Sequence, residues 1–488
     1  MYSLLKSLKE YKYATLLLFL ITMASFISKV INLNYNSPFN DEAIYVVVGK
    51  LGIFQWDWST YNARAWMAGL PYIYPSLTAL AHTSFGIIGS RFLNVIFGIL
   101  TLEAIFVIAF FLTETSPKYK IWAGLISSSL VGGAAVNFYV SRLATYDLPS
   151  FYFLIASIML LILAKQDEDN PSKLFFLSFI FLAIGFGIKI ITGIYIPLII
   201  GISFISLKKD GDKLKLWKYY FLYPICLVLI LYTLLNLGNL LTFYKTQASR
   251  EVGNVSGIIK SFWDNTTYIW AFWLAGSLGM LLTRQWKKLA VLTTAAVVIL
   301  AFHLVTSRIP TLDKHSFLSY TFLSLVSGIG IASALATMPP VKIIRPFLIG
   351  NLIGVIVAFW IVSYQESQKY NSLWTNANQV LSYVSSQISP GDKILTEIGA
   401  AALLSVYDKD HPSNVTTFDW FSYGNILASD AYAEATFDGY FNFLVLESQV
   451  HPKSDHNRNL HGIIINNLSD NYSLAYASDG FLVFKRNY

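Results

Sequence analysis

Two adjacent carboxylates, Asp41 and Glu42, stand about ten residues past the first long apolar run, in Asn-Ser-Pro-Phe-Asn-Asp-Glu-Ala-Ile-Tyr. Such a pair has two chemical uses. It can take the proton of an attacking hydroxyl as a general base, or it can start a helix, with Asn40 or Asp41 as N-cap and Glu42 in the dipole-favoured first turn. Cations follow at intervals: Lys50 and Arg64, then Arg91 with Asn94, Arg142 before a further carboxylate, Asp147, and Arg308 and Lys314 in the turn 308–315. Lys189 lies between two apolar runs, where an ionisable group is costly enough to imply a partner. A phosphate at headgroup level would serve, and snorkelling to the interface is the alternative. Tyr45, Tyr72 and Tyr74 are suited to contact a sugar or a lipid-linked donor, or to sit in an interfacial aromatic belt.

The elements that must position these residues are membrane helices. The chain of 488 residues is 55% hydrophobic and only 13% charged, and its mean hydropathy is +0.52; a soluble domain carries about 25% charged residues. Crossing about 30 Å of hydrocarbon takes about 20 apolar residues as a helix. Eleven segments qualify, at 13–31, 91–112, 121–140, 148–164, 174–188, 191–206, 218–237, 267–283, 289–305, 316–336 and 347–364. Residues 1–30 have Lys6, Lys9 and Lys12 before an apolar stretch but no small-x-small cleavage site, which reads as an uncleaved signal anchor. Net charge is +7, yet no basic run is long enough to track a nucleic-acid backbone. The single cysteine, Cys226, offers neither a disulfide framework nor a thiolate metal site.

Lysine and arginine in the short loops set the expected orientation. Lys118 and Lys120, Lys165 and Lys173, the five lysines from Lys208 to Lys218, Arg284 with Lys287 and Lys288, and Lys342 with Arg345 all fall on one side. That side is the cytoplasm with the N-terminus, so the protein is expected in the cell membrane with its C-terminal segment outside. The division expected is a membrane domain over 1–364, with a first outer loop at 32–90 and a further outer segment at 238–266, followed by a small α/β extracytoplasmic domain over 365–488. In that domain Gln365–Gln387 has a helical pattern, and Lys393–Glu397, Tyr440–Leu446 and Gly480–Lys485 read as strands. The proline-free sequons at Asn254, Asn265, Asn414, Asn467 and Asn471 all fall on the outer side, as expected both of a glycoprotein and of any chain whose polar segments lie there.

The order Phe-x-Asp-Glu-Ala-x-Tyr, Gly-x-Pro-Tyr-x-Tyr-Pro-x-Leu and Phe-Gly-x-x-x-x-Arg-x-x-Asn resembles the opening of the GT-C superfamily of glycosyltransferases. It is most similar to the branch of the dolichyl-phosphate-mannose-protein mannosyltransferases and aminoarabinose transferases. Ser141-Arg142, Asp147, Gly187-Ile188-Lys189 and the turn 308–315 extend the likeness over the membrane part. The resemblance implies a sugar moved from a polyprenyl-phosphate donor to an acceptor hydroxyl on a protein, lipid or glycan, with inversion. It implies Asp41 as general base, Glu42 as its support and Asp147 as a second carboxylate at the same face. Arg64, Arg142, Lys189, Arg308 and Lys314 become candidates to stabilise the leaving phosphate. Carboxylates at a phosphate site also suit a divalent metal, so metal-dependent and metal-free reactions both stay open. One departure stands out: where the aminoarabinose branch has a Glu-Lys pair after its Pro-Tyr, this chain has Tyr74-Pro75, which argues against that substrate.

Two other readings compete. A transporter or flippase for a polyprenyl-linked sugar or lipid would also need many spans, but transport pathways place ionisable groups near the midplane; here, apart from Glu103, they sit at span ends. An oligosaccharyltransferase-like enzyme is suggested by Trp420-Phe421-Ser422-Tyr423-Gly424, which is similar to the Trp-Trp-Asp-Tyr-Gly motif with Ser422 in place of the aspartate. A turn with packed aromatics accounts for the same residues.

Overall fold

The computed structural model describes residues 2–248, 253–309, 311–339, 344–418, 421–448, 455–478 and 480–487. Lys342 and Trp420 therefore lie outside the described residues. The chain forms two compact units, one from Met1–Leu33, Asn62–Tyr74 and Arg91–Gln368, the other from Asn34–Tyr61, Pro75–Ser90 and Lys369–Tyr488.

The first unit is helical because its apolar runs can satisfy their backbone only internally in lipid. Among the described residues nine helices are long and apolar enough to span, and ten if a bent pair is one span. Each of the eleven expected segments is helical, but two are not simple spans. The third is two helices, Pro117–Gly132 and Ala135–Arg142, bent by 62°. The bend falls at Gly132-Gly133, where a Cβ on Gly133 would sit 2.3 Å from Trp360 Nε1; that indole N–H donates to the Ser129 carbonyl at 2.9 Å. The eighth, Ile269–Leu282, has only 14 residues. Two expected loops are also largely helical. The helix entering 238–266 continues to Ala248, with another at Val255–Thr266. Span two belongs to a 39-residue helix, Tyr74–Leu112, that breaks at Phe85 and Gly86, the latter with φ +60°.

Small residues let the membrane helices approach closely. A Cβ on Gly330, in helix Leu312–Thr337, would lie 1.8 Å from the carbonyl oxygen of Gly276, in helix Ile269–Leu282. Gly330→Val should force the two helices apart and cost about 1–3 kcal/mol, seen as a lower unfolding midpoint in detergent; an unchanged midpoint would show that this contact is not tight.

The second unit is built on a five-stranded mixed sheet. Its strands are β1 (Ile394–Thr396), β2 (Val415–Thr417), β5 (Phe443–Glu447), β6 (Tyr472–Ser478) and β7 (Phe481–Arg486), in the order β2-β1-β5-β7-β6. Strands β2, β1 and β5 run parallel, and β7 pairs antiparallel with β5 and β6. A separate hairpin, β3 (Ser422–Tyr423) with β4 (Ile426–Leu427), turns through Gly424 at φ +58°. Three strands match the expected runs. The helical pattern over 365–387 is interrupted: the last membrane helix ends at Gln368, a 3-10 turn covers Lys369–Ser372, and a new helix runs over Asn378–Gln387. Helix Asn40–Gln55 packs on helix Ala400–Val406, and one apolar face of the sheet joins them in a common core that buries Ala43, Val46, Val47 and Leu51 with Val380, Leu403, Val445 and Val483.

Candidate functional site

In the first unit the sequence brings together four ionisable side chains from three separate regions. Asp147 is the first residue of helix Asp147–Gln166 and is buried. The turn before it is fixed by Asn94, whose Nδ2 donates to the carbonyls of Leu143 (2.6 Å) and Thr145 (2.7 Å). Tyr74, fully buried, donates its hydroxyl to Asn94 Oδ1 at 3.2 Å. Tyr74 and Asn94 thus act on the position of the carboxylate.

Lys189 caps the C-terminus of helix Pro171–Ile188, ahead of a 3-10 turn at Ile190–Tyr195. Two backbone bonds hold it there, Leu70 N–H to Gly187 O at 2.6 Å and Ile190 N–H to Ala68 O at 2.8 Å. Gly69 lies between them because a Cβ there would meet the Ile188 carbonyl oxygen at 2.1 Å. The glycine of the Gly-x-Pro-Tyr motif is thereby explained by close backbone approach.

The Lys189 ammonium pairs with Asp147 Oδ1, contacts His315 Nε2 at 2.8 Å and lies 4.7 Å above the Tyr146 ring. His315 Nδ1 is 2.9 Å from His303 Nε2, and His303 Nδ1 is 2.7 Å from the Arg308 carbonyl. A carbonyl only accepts, so His303 carries its proton on Nδ1. Its Nε2 then accepts from His315 Nδ1–H, and His315 Nε2 accepts from the Lys189 ammonium. Two neutral imidazoles close the chain with every bond satisfied; the proton positions follow from this pattern. Lys314, also buried, adds a second cation whose charge acts on Asp147.

The remaining cations have other surroundings. Arg142 Nη2 donates to Asn32 O at 2.8 Å and Arg91 Nη1 to Leu33 O at 2.7 Å, so both arginines serve carbonyls that follow the first membrane helix, as cations near a helix C-terminus do. Arg64 is exposed, with its guanidinium 5.2 Å from the centre of the Tyr72 ring. Arg308 is half-buried, and its Nη1 has no hydrogen-bond partner among the described residues.

In the second unit Asn40, Asp41 and Glu42 form the first turn of helix Asn40–Gln55. Glu42 is fully buried and its Oε2 accepts the Phe39 N–H at 2.8 Å, the reciprocal half of a capping box. Asp41 is half-buried, and Tyr45 is buried one turn on. The segment leading to Asp41 is stitched down by side chains. Asn36 Nδ2 donates to the carbonyls of Asn371 (3.1 Å) and Trp374 (2.9 Å), the Trp374 indole donates to Ser37 O (3.0 Å), and Asn40 Oδ1 accepts from Ala400 N–H (2.7 Å). Gly399, at φ +78°, leaves room for Asn40, since a Cβ there would be 2.6 Å from Asn40 Oδ1.

Sequence reasoning singled out Asp147, Lys189, Arg308 and Lys314 but not His303 and His315. Their signal was an imidazole in the last turn of one apolar helix and the first turn of the next, where ionisable side chains are rare. Among the described residues no group of three or more His, Cys, Asp or Glu could hold a metal ion. Phe421 packs 5.2 Å from Tyr432 and 5.3 Å from Phe441 (ring centroids), an aromatic cluster beside the β3–β4 turn.

No family model matches the chain, and no curated protein does. Solved structures do match, over nearly its whole length. The crystal structure of ArnT from Cupriavidus metallidurans in the apo state has a TM-score of 0.66 at 11% identity, covering 97% of this chain and 98% of that one. The fold is GT-C-like. The same ArnT bound to undecaprenyl phosphate matches with a TM-score of 0.58 at 12% identity, over 97% of this chain and 98% of that one. The apo oligosaccharyltransferase of Archaeoglobus fulgidus matches with a TM-score of 0.56 at 12% identity, over 98% of this chain and 75% of the other.

Proposed function

We propose that this protein is a membrane glycosyltransferase that moves a sugar from a polyprenyl-phosphate donor to an acceptor hydroxyl. The observation that carries this reading is the likeness over 97% of the chain to ArnT, whose structures include one with undecaprenyl phosphate. In the reaction the acceptor oxygen attacks the anomeric carbon, Asp41 takes its proton, and the bond to the lipid phosphate breaks with its electron pair leaving on the phosphate. Glu42 supports Asp41 by holding the first helical turn. Asp147, Lys189 and Lys314, with Arg64, Arg142 and Arg308, form the candidate set for placing and neutralising the donor phosphate. Tyr45, Tyr72 and Tyr74 support the sugar side of the reading, Tyr74 through the Asp147 turn. The active face is outside the cell membrane and the N-terminus inside, on the strength of the loop charges.

The competing transport reading is less well supported, because Asp147, Lys189, His303 and His315 all sit at helix ends. Glu103, bonded to Thr22 at 2.5 Å, is the acidic exception in mid-helix. The test is purified protein in lipid nanodiscs given radiolabelled polyprenyl-phosphate sugars and membrane extracts as acceptors. Sugar should appear on an acceptor with release of the polyprenyl phosphate; release from none of the mannosyl, glucosyl, galactosyl and pentosyl donors would reject the proposal.

A further inference from the structure

The second unit contains a cavity of about 290 Å³ that the donor chemistry does not use. It opens where the parallel strands end: Thr417 closes β2, Glu397 follows β1, and Glu447 closes β5, and all three line it. Crevices outside the carboxyl ends of parallel strands are where such sheets bind ligands. Its volume is at the small end of ligand pockets, about 300–1,000 Å³, which suits a ligand of one or two rings.

The lining selects the ligand's chemistry. Among the described residues it holds two carboxylates and no lysine or arginine, which disfavours a phosphate or any other anion. Glu397 is held in place: its Oε2 accepts Glu447 N–H at 3.0 Å and bonds His461 Nδ1 at 2.8 Å. Trp374, pinned through its indole N–H to Ser37 O, lines the cavity with its ring centre 5.0 Å from that of Phe39. Carboxylates that accept from hydroxyls, beside a fixed aromatic surface for C–H faces, are complementary to a neutral saccharide.

We infer that this cavity binds a neutral saccharide, the end of an acceptor glycan. Asn40 lines the cavity and Asp41 is the next residue of the chain, so a sugar seated there lies beside the segment that carries the carboxylate. The acceptor role rests on the glycosyl-transfer reading; the binding itself does not.

The experiment is saturation-transfer NMR on the full-length protein in nanodiscs. The probes are methyl glycosides and disaccharides of mannose, glucose, galactose and N-acetylglucosamine, with spermidine and inorganic phosphate as charged comparators. At least one neutral saccharide should bind saturably, and Glu447→Gln should weaken it tenfold or more while undecaprenyl phosphate binds variant and wild type alike. The inference is overturned if no saccharide binds, if Glu447→Gln binds it as well as wild type, or if spermidine or phosphate binds in its place. Saccharide binding without sugar transfer from any donor would remove the glycosyl-transfer reading and leave the site standing. Transfer with an unchanged acceptor KM in Glu447→Gln would remove the acceptor role.

Discussion

Asp147→Leu should destabilise the protein by about 3–5 kcal/mol, because it leaves the Lys189 ammonium buried without its carboxylate. The two side chains are 2% and 5% exposed, so water can replace little of the lost partner. His315 Nε2 stays within 2.8 Å of the ammonium but supplies no negative charge. Replacing both members, as Asp147→Leu with Lys189→Met, removes the unpaired charge and should recover most of the loss, since apolar side chains of similar volume often substitute for a buried pair at little cost. A double-mutant cycle on unfolding in detergent measures this coupling. Losses that simply add in the double variant would mean that Asp147 and Lys189 do not depend on each other. Transfer activity should fall in all three variants, because each changes the groups proposed to receive the donor phosphate.

How far this arrangement could be read from the chain depended on the range of each interaction. All eleven apolar segments are helical because a run of about 20 apolar residues has one favourable state in lipid. The bend at Gly132-Gly133 was not legible, since it needs Trp360, more than 200 residues away, to occupy the space and bond the Ser129 carbonyl. Strands β1, β5 and β7 were visible as short apolar runs. Strand β6 was missed because its pattern, Tyr-Ser-Leu-Ala-Tyr-Ala-Ser, is largely exposed at the sheet edge. Of the candidate site, the residue types were legible and the partnerships were not. Lys189 announced that it needed a partner, and the partners it has are Asp147 and His315, 42 and 126 residues distant, which no local pattern names. Glu42 shows the opposite case: its place in the first helical turn was readable locally, although the N-cap is Phe39 and not Asn40 or Asp41, because Glu42 reaches back to the Phe39 N–H. Gly69 looked like a motif residue, and its reason is a carbonyl more than 100 positions later.

The second large effect concerns Asp41. Removing a positioned general base costs about 10²–10⁴-fold in rate. Asp41→Asn is close to isosteric, and the capping bond of this turn runs from Phe39 N–H to Glu42. Asn40 keeps its bond to Ala400 N–H, so the variant should fold as wild type does, and its affinity for the proposed polyprenyl-phosphate donor should be unchanged. A fall in transfer with donor binding intact would therefore report on proton removal and not on the shape of the first outer segment. The direct measurement is the single-turnover transfer rate of purified wild type and Asp41→Asn in the same lipid, with the same labelled polyprenyl-phosphate sugar and acceptor. The account predicts a rate at least 100-fold lower in the variant, within the range expected for a general base; equal rates would contradict it.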